Sequence, residues 1–261
     1  MKIEDLEKSP EDTISELKDS NMQQYIEQAL DVKAPIIHNT NKNVVYYMTS
    51  LHERENMLKG NVLYIEYIGE VMEEVFGHNF RTTSVYGTFH GEEQYGNPYI
   101  LLPFGGEYSI CYSTAVNDMY FNYHKVKMDS YDDIYNLLKK GWGSEILPED
   151  IITIWNDFEY TVQEMKLSLS DYVAMLDNYG LEDEAIELIL NKFKELIISK
   201  YHELIKTYHV TSDLREVFSD VGRETNPTVE LMIKSPKYLM VSSSYILKKY
   251  KTYENFLNSV K

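Results

Sequence analysis

The chain has 261 residues, 43% hydrophobic and 26% charged, which is enough for one large core or two small ones and ordinary for a globular protein. Its 42 Asp and Glu outnumber 25 Lys and Arg, and the resulting net charge of −17 repels phosphate backbones, so nucleic acid is disfavoured as a partner. The single cysteine, Cys111, excludes an internal disulfide and points to a reducing compartment; no apolar run approaches the roughly 20 residues of a membrane helix, and the acidic N-terminus shows no signal-peptide pattern.

Residues 1–34 read as an acidic helical arm. Ser9 ahead of Pro10, Glu11 and Asp12 is a capped start, and Ile14, Leu17, Tyr25, Ile26 and Leu30 form a thin apolar stripe expected to dock on its own domain. Residues 44–48 (Val-Val-Tyr-Tyr-Met) are β-branched and aromatic and predict a strand. Residues 51–76 predict a helix, with Leu63, Tyr67, Val71 and Val75 returning every four positions and Gly77 as its C-cap. From Arg81 the pattern turns to short strands at 84–89, 99–102, 108–112 and 119–123, with Gly105-Gly106 as a turn. Residues 131–209 predict helices, the last from about 182 to 209 on an apolar stripe that includes Ile189, Phe193 and Leu204. Sheet-type sequence resumes at Thr228 and runs to Val241 as one late apolar strand headed by Glu230. Strands on both sides of a helical block predict an α+β domain over 35–261 with a helical insertion at about 131–209, with two separate domains as the alternative.

The candidate chemistry is sparse. Of seven histidines, His52 and His202 are each followed by glutamate but lack the second histidine of a zinc-binding helix, so no metal is expected. No phosphate-cradling glycine loop precedes a Lys-Ser or Lys-Thr pair, which argues against a P-loop hydrolase. Cys111 alternates with apolar residues and reads as a buried thiol; Lys248, Lys249 and Lys251 read as a solvated basic end. The best constellation is Arg81, Ser84, Tyr95 and Glu230. A planar guanidinium grips phosphate, a hydroxyl orients ribose and a tyrosine ring offers a flat face. A carboxylate can stabilise positive charge as a glycosidic bond breaks. The plainer reading of these residues is an edge-strand glutamate, a capped turn and surface tyrosines, and composition alone favours it.

The same residues resemble the ADP-ribosyltransferase superfamily, especially divergent bacteriophage members. The likeness is carried by Arg81-Thr82-Thr83-Ser84-Val85-Tyr86-Gly87-Thr88, by Tyr95-Gly96-Asn97-Pro98-Tyr99 running on to Pro103, by residues 112–120, and by Ser212-Asp213-Leu214 with Val229-Glu230-Leu231-Met232-Ile233. It spans about residues 44–123 and 211–243. It implies a split mixed sheet that binds NAD as substrate, with Glu230 as the catalytic carboxylate and Ser84 on the central motif strand. Arg81 would anchor phosphate or structure, Tyr95 would touch a ring, and Tyr47, Thr49 and Thr88 would line the cofactor site. Two positions depart from the pattern. The expected first strand, 45–50, carries no NAD-binding arginine or histidine, and Thr228 stands where arginine-modifying members often carry glutamine or glutamate.

The leading expectation is mono-ADP-ribosyl transfer from NAD to a protein acceptor in the host cytoplasm, with packaging in a virion compatible. The rival is a non-catalytic phage virion or interaction protein on a degenerate version of the fold, favoured by the missing first-strand cation and the 23 tyrosines. A third is an inhibitor of a host defence enzyme, using the acidic surface. No membrane is expected, and an oligomer is compatible with all three.

Overall fold

A computed structural model describes residues 8–50, 62–90, 96–116, 201–222 and 229–261, with helical backbone also at 153, 187, 191, 195, 198 and 199. The protein is α+β and contains two four-stranded antiparallel sheets. Its chain forms two compact units. The first comprises residues 1–52, 83–119 and 207–261; the second comprises 53–82 and 120–206.

The first unit begins with two helices, α1 (Pro10–Leu17) and α2 (Ser20–Val32). Ser9 caps α1 by accepting from the Asp12 N–H at 3.1 Å. Lys18 turns into the left-handed region at φ 47°, and Asp19 then caps α2. The expected arm is therefore two helices. They do not stand apart from the domain: Ile14, Met22, Tyr25, Ile26 and Ala29 are buried in the hydrophobic core of this unit.

Sheet A orders its strands as β1 (Ile37–Thr40), β4 (Asn97–Phe104), β8 (Lys237–Ser242) and β2 (Tyr46–Ser50). Sheet B orders them as β3 (Val85–Gly87), β7 (Leu231–Lys234), β5 (Ser109–Ser113) and β6 (Tyr208–Thr211). A short helix α4 (Leu214–Val217) and a π-helical turn (Phe218–Gly222) follow β6, and α5 (Ser243–Tyr250) and α6 (Tyr253–Val260) follow β8. The expected strand at 119–123 lies outside the described residues.

Two expectations about element limits are corrected. The single late strand is two strands in different sheets, because Pro236 supplies no N–H and the chain crosses from β7 to β8 at Ser235-Pro236. Tyr238 locks this crossing: it accepts from the Ser235 N–H at 2.8 Å and donates to the Ile233 carbonyl at 2.8 Å. The helix expected to reach His209 ends sooner, and Tyr208–Thr211 forms β6 against β5. Its aromatic and β-branched composition suits a sheet edge better than another helical turn.

A second crossing joins the sheets at β3. Val85, Tyr86 and Gly87 pair with Ile233, Met232 and Leu231, but the next residue, Thr88, exchanges both backbone hydrogen bonds with Ile37 of β1, at 2.7 and 2.9 Å. Gly87 permits the switch. A Cβ there would lie 2.5 Å from Ile36 Cγ2 and 2.9 Å from the Ile37 carbonyl oxygen.

In the second unit, α3 (Val62–Phe76) ends at Gly77, whose φ of 71° and N–H to the Glu73 carbonyl (2.8 Å) make it the expected C-cap. Ile68, Val71 and Met72 are buried, whereas Val75 in the last turn is exposed. His202 pairs with Glu74 at 3.3 Å, tying the helical stretch at 201–205 to α3. Residues 53–82 thus belong with this helical unit, which is more than an insertion at 131–209; most of that stretch lies outside the described residues.

Candidate functional site

Burial along sheet B separates its two faces. Leu231, Ile233, Ile110 and Tyr112 belong to the hydrophobic core, and Val85 packs against it. Strand alternation puts the intervening residues on the opposite face. These are Tyr86 in β3 with Ser84 and Thr88 flanking that strand, Met232 and Lys234 in β7 with Glu230 just ahead of it, and Ser109, Cys111 and Ser113 along β5.

The register orders this polar face into rows. Ser109 pairs with Lys234, and one further step of the β3–β7 register sets Ser84 beside the same lysine. The middle row is Tyr86, Met232 and Cys111. At the other end Glu230 lies one residue ahead of β7, and Thr88, one residue past β3, turns to Ile37 of β1. Tyr86, Thr88, Glu230 and Lys234 are half-buried, while Met232 and Cys111 beside them are fully buried. Burial also pushes the Cys111 thiol well above its ordinary range, which keeps it protonated and suits the expected inert role.

Glu230 stands at the divergence of the two sheets. Its Oε2 atom is buried, and the chain beyond the neighbouring strand β3 leaves for β1 at Thr88. Behind Thr88, the Phe89 ring meets Phe218 of the π-helical turn edge to face at 5.2 Å. His38 of β1 reaches the same junction, with Nδ1 2.7 Å from the Tyr86 carbonyl oxygen. A carbonyl only accepts, so Nδ1 carries the proton in this contact.

The expected site residues are dispersed across this frame. Glu230 precedes β7 and Thr88 follows β3, the strand paired with it. Ser84 shares their face but sits four residues away along the strand, about 13 Å. Its Oγ is buried and has no hydrogen-bond partner among the described residues. Ser84 is therefore placed apart from the Glu230 carboxylate, and a direct catalytic partnership between the two does not fit the register. Arg81 is buried in the second unit. Tyr95 lies outside the described residues. Tyr47 and Thr49 sit on β2, the far edge of sheet A, with β8, β4 and β1 between them and the Thr88 bridge. At three strand spacings, about 14 Å, they do not reach Glu230. Tyr47 instead packs edge to face on Tyr99 at 5.4 Å, under the Lys42 ammonium at 4.2 Å, and burial pushes its phenol up to about 12.

Sequence reasoning took residues 45–50 for the first strand and so missed His38. The first described strand is Ile37–Thr40, too short and too polar at Asn39 and Thr40 to stand out from its flanks. A separate cleft of about 220 Å³, lined by Lys8, Thr13, Glu16, Leu17, Tyr46 and Met48, opens between α1 and β2, away from Glu230. Among the described residues no group of three or more acidic, histidine or cysteine side chains could hold a metal ion. Comparison with family models, curated proteins and solved structures gives no match to this chain.

Proposed function

We propose that the protein is a divergent mono-ADP-ribosyltransferase that takes NAD as substrate and modifies a protein acceptor. The observation that carries this reading is the position of Glu230: a half-buried carboxylate immediately ahead of β7, the strand paired with β3 where the chain crosses to β1, with His38 of β1 reaching the Tyr86 carbonyl of β3. The resemblance in sequence implies a catalytic glutamate on such a strand and an arginine or histidine on the first strand. His38 supplies the second in place of the residue that 45–50 lacks. In this reading the bond from the ribose anomeric carbon to nicotinamide breaks, and nicotinamide leaves with the electron pair. Glu230 stabilises the positive charge left on the ribose. The acceptor side chain then bonds to the same carbon and loses a proton to solvent. His38 and Thr88 orient the ribose.

One observation favours a second reading, a non-catalytic phage virion or interaction protein built on the same framework. Met232 and Cys111 are buried in the middle of the polar face, and Ser84 is buried at its end. A ligand on this face would meet only half-buried side chains such as Tyr86, Thr88, Glu230 and Lys234. Incubation with labelled NAD and host-cell extract separates the two. The transferase reading expects labelling of a protein by the intact chain and a loss of about 100-fold or more in Glu230→Ala. Equal labelling by both chains removes Glu230 from the mechanism, and no labelling by either favours the structural role.

A further inference from the structure

Sheet A ends at β2, which has β8 on one side and no strand on the other among the described residues. We propose that this edge docks an extended, arginine-bearing segment of a protein partner, which adds a strand beside β2 and lays the arginine into the cleft between β2 and α1. The assignment is independent of the role given to Glu230.

Three observations carry it. The first is the direction of the backbone groups. The Ser242 N–H donates to the Val45 carbonyl at 2.9 Å, so in the antiparallel register residues 45, 47 and 49 bond to β8, and the N–H and C=O of Met48 turn outward. Met48 is 41% exposed, and among the described residues nothing bonds to those two groups. The second is the cleft itself, about 220 Å³, which Tyr46 and Met48 line from β2 and Thr13, Glu16 and Leu17 line from α1. Residues directly opposed in an antiparallel pair share a face of the sheet. A partner residue that exchanges both backbone hydrogen bonds with Met48 therefore sends its side chain to the side where the cleft lies. The third is charge. Lys8 bonds Glu16 Oε2 at 2.6 Å at the rim, the two side chains are 49% and 59% exposed, and Glu16 Oε1 has no partner among the described residues. Leu17 and Met48 suit an alkyl stem, and Glu16 Oε1 can accept from a guanidinium at its end. The net charge of −17 draws a cationic segment to this surface. Strand addition takes its affinity from the main chain and its selectivity from pockets for alternate side chains, and this edge offers both.

The probe is a fluorescent peptide, Thr-Val-Arg-Val-Thr, blocked at both ends and titrated with the intact chain. Saturable binding is expected, with the Met48 amide signal of methionine-labelled protein shifting in the NMR spectrum. Methylating the arginine backbone nitrogen removes the donor to the Met48 carbonyl and should weaken binding about tenfold or more, with no change to the protein. Glu16→Gln should weaken the arginine peptide about threefold and leave a peptide with glutamine in its place unaffected. No saturable binding, an undiminished affinity of the methylated peptide, equal affinities for the arginine and glutamine peptides, or an unmoved Met48 amide overturns the assignment. A chain that sediments as a dimer and excludes the peptide from β2 gives this edge to a second copy and overturns it as well.

Discussion

Glu11 couples the first helix to the last two through hydrogen bonds that a single substitution can remove. Its carboxylate accepts from the Tyr250 hydroxyl, from Lys249 at 3.2 Å and from Tyr245 at 3.3 Å. Burial alone would raise its pKa, but hydrogen bonds from Tyr250 first, then from its own backbone N–H, Ser9 and Lys249, bring it down from 4.5 to about 2. A depressed carboxylate contributes stability that is complete above its unfolded value and is lost as pH falls through the folded one. Glu11→Gln should therefore lower stability at pH 7 by about 1–2 kcal/mol. The difference from the wild type should close as pH falls from about 4.5 to 2, the limits set by the two pKa values. Urea titrations across that window measure it; a difference that persists at pH 2 contradicts the charge-based account. Gly87 offers a second test. Because an added Cβ meets Ile36 and the Ile37 carbonyl, Gly87→Ala should cost about 1–3 kcal/mol, read as a lower denaturant midpoint. At this scale the sequence was uneven. The Ser9 cap, the Gly77 C-cap and the Gly105-Gly106 turn were legible because cap and turn chemistry is local. The separation of Ser84 from Glu230 was not, because register is a property of paired strands.

Among elements, the instructive strands are β3, β7 and β8. Apolar runs at 84–89 and 228–241 were visible as sheet-forming sequence, yet each crosses between the sheets partway along. Local propensity cannot report such a crossing, since residues on both sides of it are equally apolar. Only Pro236 and Gly87 mark the places, one by lacking a donor and the other by lacking a Cβ. The β7–β8 crossing depends on Tyr238, so Tyr238→Phe should leave the Ser235 N–H without its acceptor and cost about 1–3 kcal/mol, with little change in the secondary-structure spectrum. A loss below a few tenths of a kcal/mol, measured by the same titrations, would mean that water replaces the phenol at no cost. The strand β6 was missed for the opposite reason. Its four residues continue the apolar period of the preceding helix, and pairing with β5 overrides that period.

For the molecule as a whole, the alternation of helical and sheet-type sequence gave the α+β class. The assignment of residues 53–82 to the helical unit, and of α1 and α2 to the sheet unit, depended on contacts between distant stretches of chain. The central claim is that Glu230, at the divergence of the two sheets, works on NAD. Nicotinamide release from NAD by the purified chain, compared with Glu230→Gln, tests it most directly. The account predicts measurable release by the intact chain and a decrease of about 100-fold or more in the variant, with its fold unchanged by circular dichroism. Release at the same rate from both chains, or none from the intact one, would contradict it.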